Sequence, residues 1–112
     1  MTVRQRDLFL VPFPFSDQSG WKVRPVLIIS NDNFNQSSED IIVCAITLNI
    51  KNIHSVVITT SDLEEGILST ESYVKVENIL KVNQQLLIKK IGKLQKDTFI
   101  KVLEKLYLIL HQ

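Results

Sequence analysis

Apolar and polar positions alternate in two regimes along the chain. Up to about Lys93, short apolar runs are separated by polar turns; from Phe99 onward, apolar residues recur every three or four positions. The first regime is that of strands and the second that of an amphipathic helix. Asp7 to Pro12 reads as a first strand, with Leu8, Phe9, Leu10 and Val11 as its body. Phe13 to Val23 reads as a long loop, marked by Pro14, Ser16, Asp17, Ser19 and Gly20. Pro25 to Ser30 is a second strand, and its run Val26-Leu27-Ile28-Ile29 suits a strand covered on both faces. Asn31-Asp32-Asn33 opens a polar connection with a helical turn through Phe34. Asp40 to Thr47 is a third, fully buried strand and Ser55 to Thr60 a fourth, followed by a loop over Ser61 to Gly66. Ser72 to Val76 alternates as a fifth strand, and Leu87 to Lys93 gives a sixth, broken near Gly92. Phe99, Val102, Leu103, Leu106 and Leu110 share one helical face from about Lys96 to Leu110, with Lys101, Glu104 and Lys105 opposite. Gln95 or Asp97 would cap that helix, and Asp is the better cap. Short strands closed by one helix predict a mainly β protein, a small and strongly bent antiparallel barrel or half-barrel with a C-terminal helix.

Length and composition narrow this reading. The 112 residues make one domain, 1–112, large enough for a single core. A hydrophobic content of 45% fits a folded chain. One cysteine excludes an internal disulfide framework and points to a reducing cytoplasm. No apolar run approaches the roughly 20 residues of a membrane helix. The apolar run after the charged N-terminus is short and carries Pro12 and Pro14, unlike a signal peptide. The net charge of +1 is unevenly spread. Residues 1–30 hold four basic and two acidic groups, residues 31–78 two and eight, and residues 79–112 seven and two. Such asymmetry permits a basic face built from the two ends of the chain and an acidic face elsewhere.

Candidate chemistry concentrates at one place. Gly20 lets the backbone turn, and Pro25 pushes Arg24 toward an extended conformation at the mouth of a buried strand. A guanidinium held in this way suits phosphate, and RNA is the phosphate-bearing partner it fits. The alternative for Arg24 is a surface ion pair. Thr47 closes the most apolar strand, where its hydroxyl can donate to a phosphate oxygen or serve simply as a good β residue. Trp21 is either a lid on the core or a platform for a base. Cys44 reads as a small core residue, and His54 and His111 as surface histidines. These three have no metal-ligand spacing, so no metal or cofactor is expected.

The segments Phe9-Leu10-Val11-Pro12-Phe13-Pro14-Phe15-Ser16-Asp17, Gly20-Trp21-Lys22-Val23-Arg24-Pro25 and Ala45-Ile46-Thr47 together resemble the MazF/PemK toxins of bacterial toxin–antitoxin systems. The resemblance continues through Gly66-Ile67-Leu68, Glu71-Ser72-Tyr73-Val74 and Lys89-Lys90-Ile91-Gly92-Lys93-Leu94 into the final helix. The Arg-Pro dipeptide alone would be weak, whereas the ordered set covers nearly the whole chain. The resemblance implies an SH3-like or plasmid-addiction-type β barrel that forms homodimers. It implies a cytoplasmic, ribosome-independent endoribonuclease that cuts single-stranded RNA, usually mRNA, at short sequences. It also implies an antitoxin that blocks the RNA groove. By position, Arg24 and Thr47 match the catalytic pair. Ser19, Gly20, Trp21, Lys22 and Asn49 fall where RNA is held, and Glu77 where members often have a polar contact. Two departures stand out. Members commonly begin with a Gly-Asp pair where this chain has Arg6-Asp7, and the Asp or His that some use in catalysis has no clear match.

RNA carries its own nucleophile, so such a protein needs only positioning, charge stabilisation and proton transfer. Two other classes compete with this expectation. One is a non-catalytic SH3-like module, a degenerate toxin, that binds RNA or a peptide; the other is a structural partner docking through its acidic middle region.

Overall fold

The structure, a computed structural model, describes residues 2–14, 20–48 and 53–111, without the side chains of Pro14 and Trp21. Among the described residues, seven strands form one antiparallel sheet: β1 (Asp7–Pro14), β2 (Trp21–Ile28), β3 (Asp40–Thr47), β4 (Ser55–Ile58), β5 (Leu63–Gly66), β6 (Ser72–Asn83) and β7 (Lys89–Leu94). A short helix, α1 (Asp32–Ser37), links β2 to β3, and α2 (Lys96–Leu110) closes the chain. The strand order is β4-β6-β3-β2-β1-β7-β5, and the sheet curls into a half-barrel.

Both faces of the sheet are covered, as the continuous apolar run of β2 requires. Leu27 faces one core with Leu8, Cys44, Ile46, Val74, Val76 and Leu94, into which α2 inserts Phe99 and Val102. Burying these two helix side chains stabilises the fold by about 1.5–3 kcal/mol each. Val26 and Ile28 face a second core with Phe9, Val11, Ile41, Val43, Val82 and Leu87. The long β6 serves both cores because it bends. Its pairing with β3 runs from Asp40↔Asn83 to Cys44↔Ile79 and resumes at Ala45↔Lys75. Val76, Glu77 and Asn78 are therefore extra residues on β6, a bulge that redirects the strand.

Several boundaries differ from those the sequence predicts. The expected loop over Phe13–Val23 is shorter, because β1 and β2 stay paired out to Pro14↔Trp21. Lys22 and Arg24 therefore sit on a strand rather than in a turn. The loop expected over Ser61–Gly66 contains a 3₁₀ turn (Thr60–Asp62) and then β5. Its Leu-Glu-Glu-Gly sequence hides a short edge strand with a single buried residue, Leu63. The fifth predicted strand runs on through the bulge to Asn83. Gly92 does not break β7; it lies against the Glu65 carbonyl, where a Cβ would not fit. The helix α2 has the expected bounds, but Gln95 is its N-cap residue and makes no side-chain cap bond. Asp97 stands in the first turn instead, where its charge complements the helix dipole. Of the predicted apolar face only Phe99 and Val102 are buried; Leu103 and Leu110 are exposed.

Candidate active site

The candidate site forms where two neighbouring strands part. The β2–β3 ladder runs from Ile28↔Val43 to Val26↔Ala45 and stops there. Beyond that point β2 continues only against β1, and β3 only against β6. Carrying the same register two residues further sets Arg24 opposite Thr47, across the gap rather than across a ladder. Residues two apart on a strand share a face, so both side chains point the same way. The gap is a cleft of about 220 Å³ lined by Phe13, Arg24, Ala45, Ile46, Thr47, Lys75 and Asn78.

Each lining residue is placed for a local reason. Arg24 precedes Pro25 in β2 and pairs with Val11 of β1, so its backbone is extended and tethered. Thr47 is the last residue of β3. Lys75 lies opposite Ala45, whose small side chain leaves room beside it. Asn78 comes from the β6 bulge, and Phe13 from the end of β1. The side chains of Arg24, Lys75 and Asn78 have no hydrogen-bond or ion-pair partner among the described residues. Among the described residues, the lining thus brings two cations, a hydroxyl and an amide to one opening and no carboxylate. That donor set suits an anion with several acceptor oxygens.

The structure brings Arg24 and Thr47 to one cleft. Gly20 sits at the entry to β2 with φ 128°, a left-handed conformation that glycine adopts without strain. Lys22 pairs with Phe13, and being two residues from Arg24 it lies on the same face of β2. Glu77 is exposed in the bulge next to Asn78 but does not line the cleft. Ser19, Asn49 and the side chain of Trp21 lie outside the described residues. Lys75, Asn78 and Phe13 escape a reading of the sequence. A lysine inside an alternating strand is a faint signal for Lys75, but Asn78 depends on a bulge that no local pattern marks. Cys44 is a core residue, as expected. Burial, reinforced by the charge of Glu77, pushes its thiol up to about 12.

A half-barrel closed by one helix, with a cationic cleft at the open end of its sheet, defines a class of small curled β proteins. A family model described as PemK-like, MazF-like toxin of type II toxin–antitoxin system matches residues 4–110. The chain belongs to that family. It is 34% identical over 113 residues to endoribonuclease EndoA of Bacillus subtilis (strain 168), covering 98% of this chain and 96% of that protein. Its fold is also that of a MazE–MazF complex from Deinococcus radiodurans, with TM-score 0.80, 18% identity and coverage of 98% of this chain and 96% of that one. A mycobacterial endoribonuclease in complex with its cognate antitoxin superposes with TM-score 0.77 at 22% identity, covering 96% of this chain and 94% of that one.

Proposed function

We propose that this protein is the toxin of a type II toxin–antitoxin pair and an endoribonuclease that cuts single-stranded RNA in the cytoplasm. The observation that carries the reading is the cleft at the β2–β3 gap, where Arg24 and Thr47 face one another beside a second cation. The RNA supplies the nucleophile. Its 2′-hydroxyl attacks the adjacent phosphorus, the O2′–P bond forms, the P–O5′ bond breaks, and a 2′,3′-cyclic phosphate and a 5′-hydroxyl result. Arg24 holds the non-bridging oxygens as negative charge builds on them, and Thr47 donates a further hydrogen bond. Guanidinium is a poor proton donor because it stays protonated. The Lys75 ammonium lines the same cleft and protonates the departing O5′, while the 2′-hydroxyl proton passes to water. DNA has no 2′-hydroxyl and is not cut by this route.

Lys22 and the entry to β2 hold the flanking backbone, together with Ser19, Trp21 and Asn49. Glu77 makes a polar contact at the rim. The antitoxin acts by covering this cleft. A second copy of the toxin docks on the exposed apolar face of α2.

The test is to incubate purified protein with a long RNA and map new 5′ ends, beside a DNA of the same sequence. Cuts at a short recurring motif in RNA alone are expected. Replacing Arg24 or Thr47 by Ala removes one donor each, a loss of about 2.7–4 kcal/mol or 10²–10³ in rate. Binding without new ends would identify a non-catalytic module, and wild-type rates in R24A would overturn the site.

A further inference from the structure

The row of side chains that carries Thr47 continues past the cleft. Thr47 lies opposite Tyr73 in the β3–β6 ladder, and Tyr73 lies opposite Val57 on β4. Directly opposed residues on one face have Cβ atoms about 4.5–5.5 Å apart, so the Tyr73 and Thr47 side chains leave the sheet side by side. Lys75, two residues further along β6 and on the same face, lines the cleft itself.

Two features separate Tyr73 from an ordinary strand aromatic. Its hydroxyl donates to Glu71 Oε2 at 2.7 Å, which fixes the ring and the carboxylate in one pose. That hydrogen bond, followed by burial and the Glu71 charge, raises the pKa of the phenol, so the ring stays neutral and keeps donating. Beyond the ring Val57 is 47% exposed, which extends the apolar step at the cleft's rim. At the end of that step stands an exposed carboxylate that can only accept hydrogen bonds.

An apolar ring with an acceptor at its edge is of little use to a phosphate, which a carboxylate repels. It matches the flat face and N–H edge of an unstacked base. We infer that Tyr73 and Glu71 form a nucleobase subsite beside the scissile phosphate, with Tyr73 stacking the base and Glu71 reading its Watson–Crick edge. This rests on the reading of the cleft as an RNA-cutting site. Guanine presents two adjacent donors, N1–H and N2–H, to a carboxylate. Uracil presents one N–H flanked by two carbonyls, which the carboxylate repels. The subsite therefore selects guanine over uracil at one position next to the cut, while the cations handle the backbone and carry no sequence information.

The experiment maps cut sites of the full-length protein on an RNA pool randomised around the cleavage motif. The wild type is compared with Glu71→Gln, Tyr73→Phe and Tyr73→Ala. Wild-type cuts are expected to favour guanine over uracil at one flanking position. Glu71→Gln reduces that preference on the order of 10-fold and leaves every other position unchanged. Tyr73→Ala lowers kcat/KM on the order of 10-fold, whereas Tyr73→Phe, which keeps the ring, loses less and weakens the guanine preference. Glu71 is exposed, so its variant tests the idea even where Tyr73→Ala is poorly folded. Base preferences in Glu71→Gln and Tyr73→Phe that match the wild type would overturn the subsite alone. No cutting of any RNA by the wild type would overturn the underlying reading along with it.

Discussion

Arg6 holds φ at 79°, in the left-handed region where members of this family commonly have glycine. The side chain compensates for that backbone. Its guanidinium donates to the Leu94 carbonyl at 2.8 Å and to Glu64 Oε1 at 3.1 Å, tying the start of β1 to the end of β7 and to β5. Arg6→Ala keeps the strained backbone and loses both contacts, so stability falls by about 1.5–3 kcal/mol. Arg6→Gly loses the same contacts but relieves the backbone, and it should be about 1 kcal/mol more stable than the alanine variant. Urea denaturation of the two variants checks the order. Cys44 offers a second check at this scale. A fully buried thiol pushed up to about 12 should resist iodoacetamide in the native protein and react only on unfolding. Arg24 and Thr47 were legible as candidates because their signals are local: a proline after one and a strand end at the other. Lys75 and Asn78 were not, because only the pairing of β6 with β3 turns them toward the cleft.

At the scale of elements, β5 and β7 are joined by charge as well as by backbone. Lys90 Nζ lies 3.0 Å from Glu65 Oε2 and 3.3 Å from Oδ1 of Asp7, a carboxylate only 1% exposed. The hydrogen bond from Lys90 holds the Glu65 carboxyl below its ordinary value. Burial alone would lower Lys90, but its bonds to Glu65 and Asp7 outweigh that and raise it. Glu65 is depressed in the folded state, so its contribution is present above the ordinary carboxylate pKa and is lost as pH falls through the folded value. Lys90 is raised, so its contribution is intact below the ordinary lysine pKa and is lost as pH rises through the folded value. Thermal unfolding across pH should show wild type and Lys90→Met diverging at neutral pH and converging at the acid extreme. The strand β5 was hidden in the sequence because two of its four residues are glutamates. They are tolerated on an edge strand, where charge also discourages pairing with other chains. The bulge in β6 was hidden because Glu77-Asn78 reads as a strand end; pairing partners on β3 carry the strand past it.

For the molecule as a whole, α2 raises the question of what covers it. Leu108 is 71% exposed and Tyr107 60%. In the proposed dimer this face meets a second copy. Leu108→Asp places a charge there without touching either core, so light scattering should report a smaller particle while the circular dichroism of the fold persists. Unchanged mass would move the dimer contact elsewhere.

The alternation of apolar runs, the single closing helix and the Arg-Pro and strand-end Thr signals are properties of neighbours in the chain. Sequence alone therefore determined the class of fold, the bounds of β3 and α2, and two residues of the cleft. Where β2 and β3 stop pairing is a different kind of fact. It depends on β1 and β6 each holding one strand past the point where the other leaves it. That competition between ladders opens the cleft, turns Lys75 and Asn78 into it and sets Tyr73 beside Thr47, and only the folded sheet decides it.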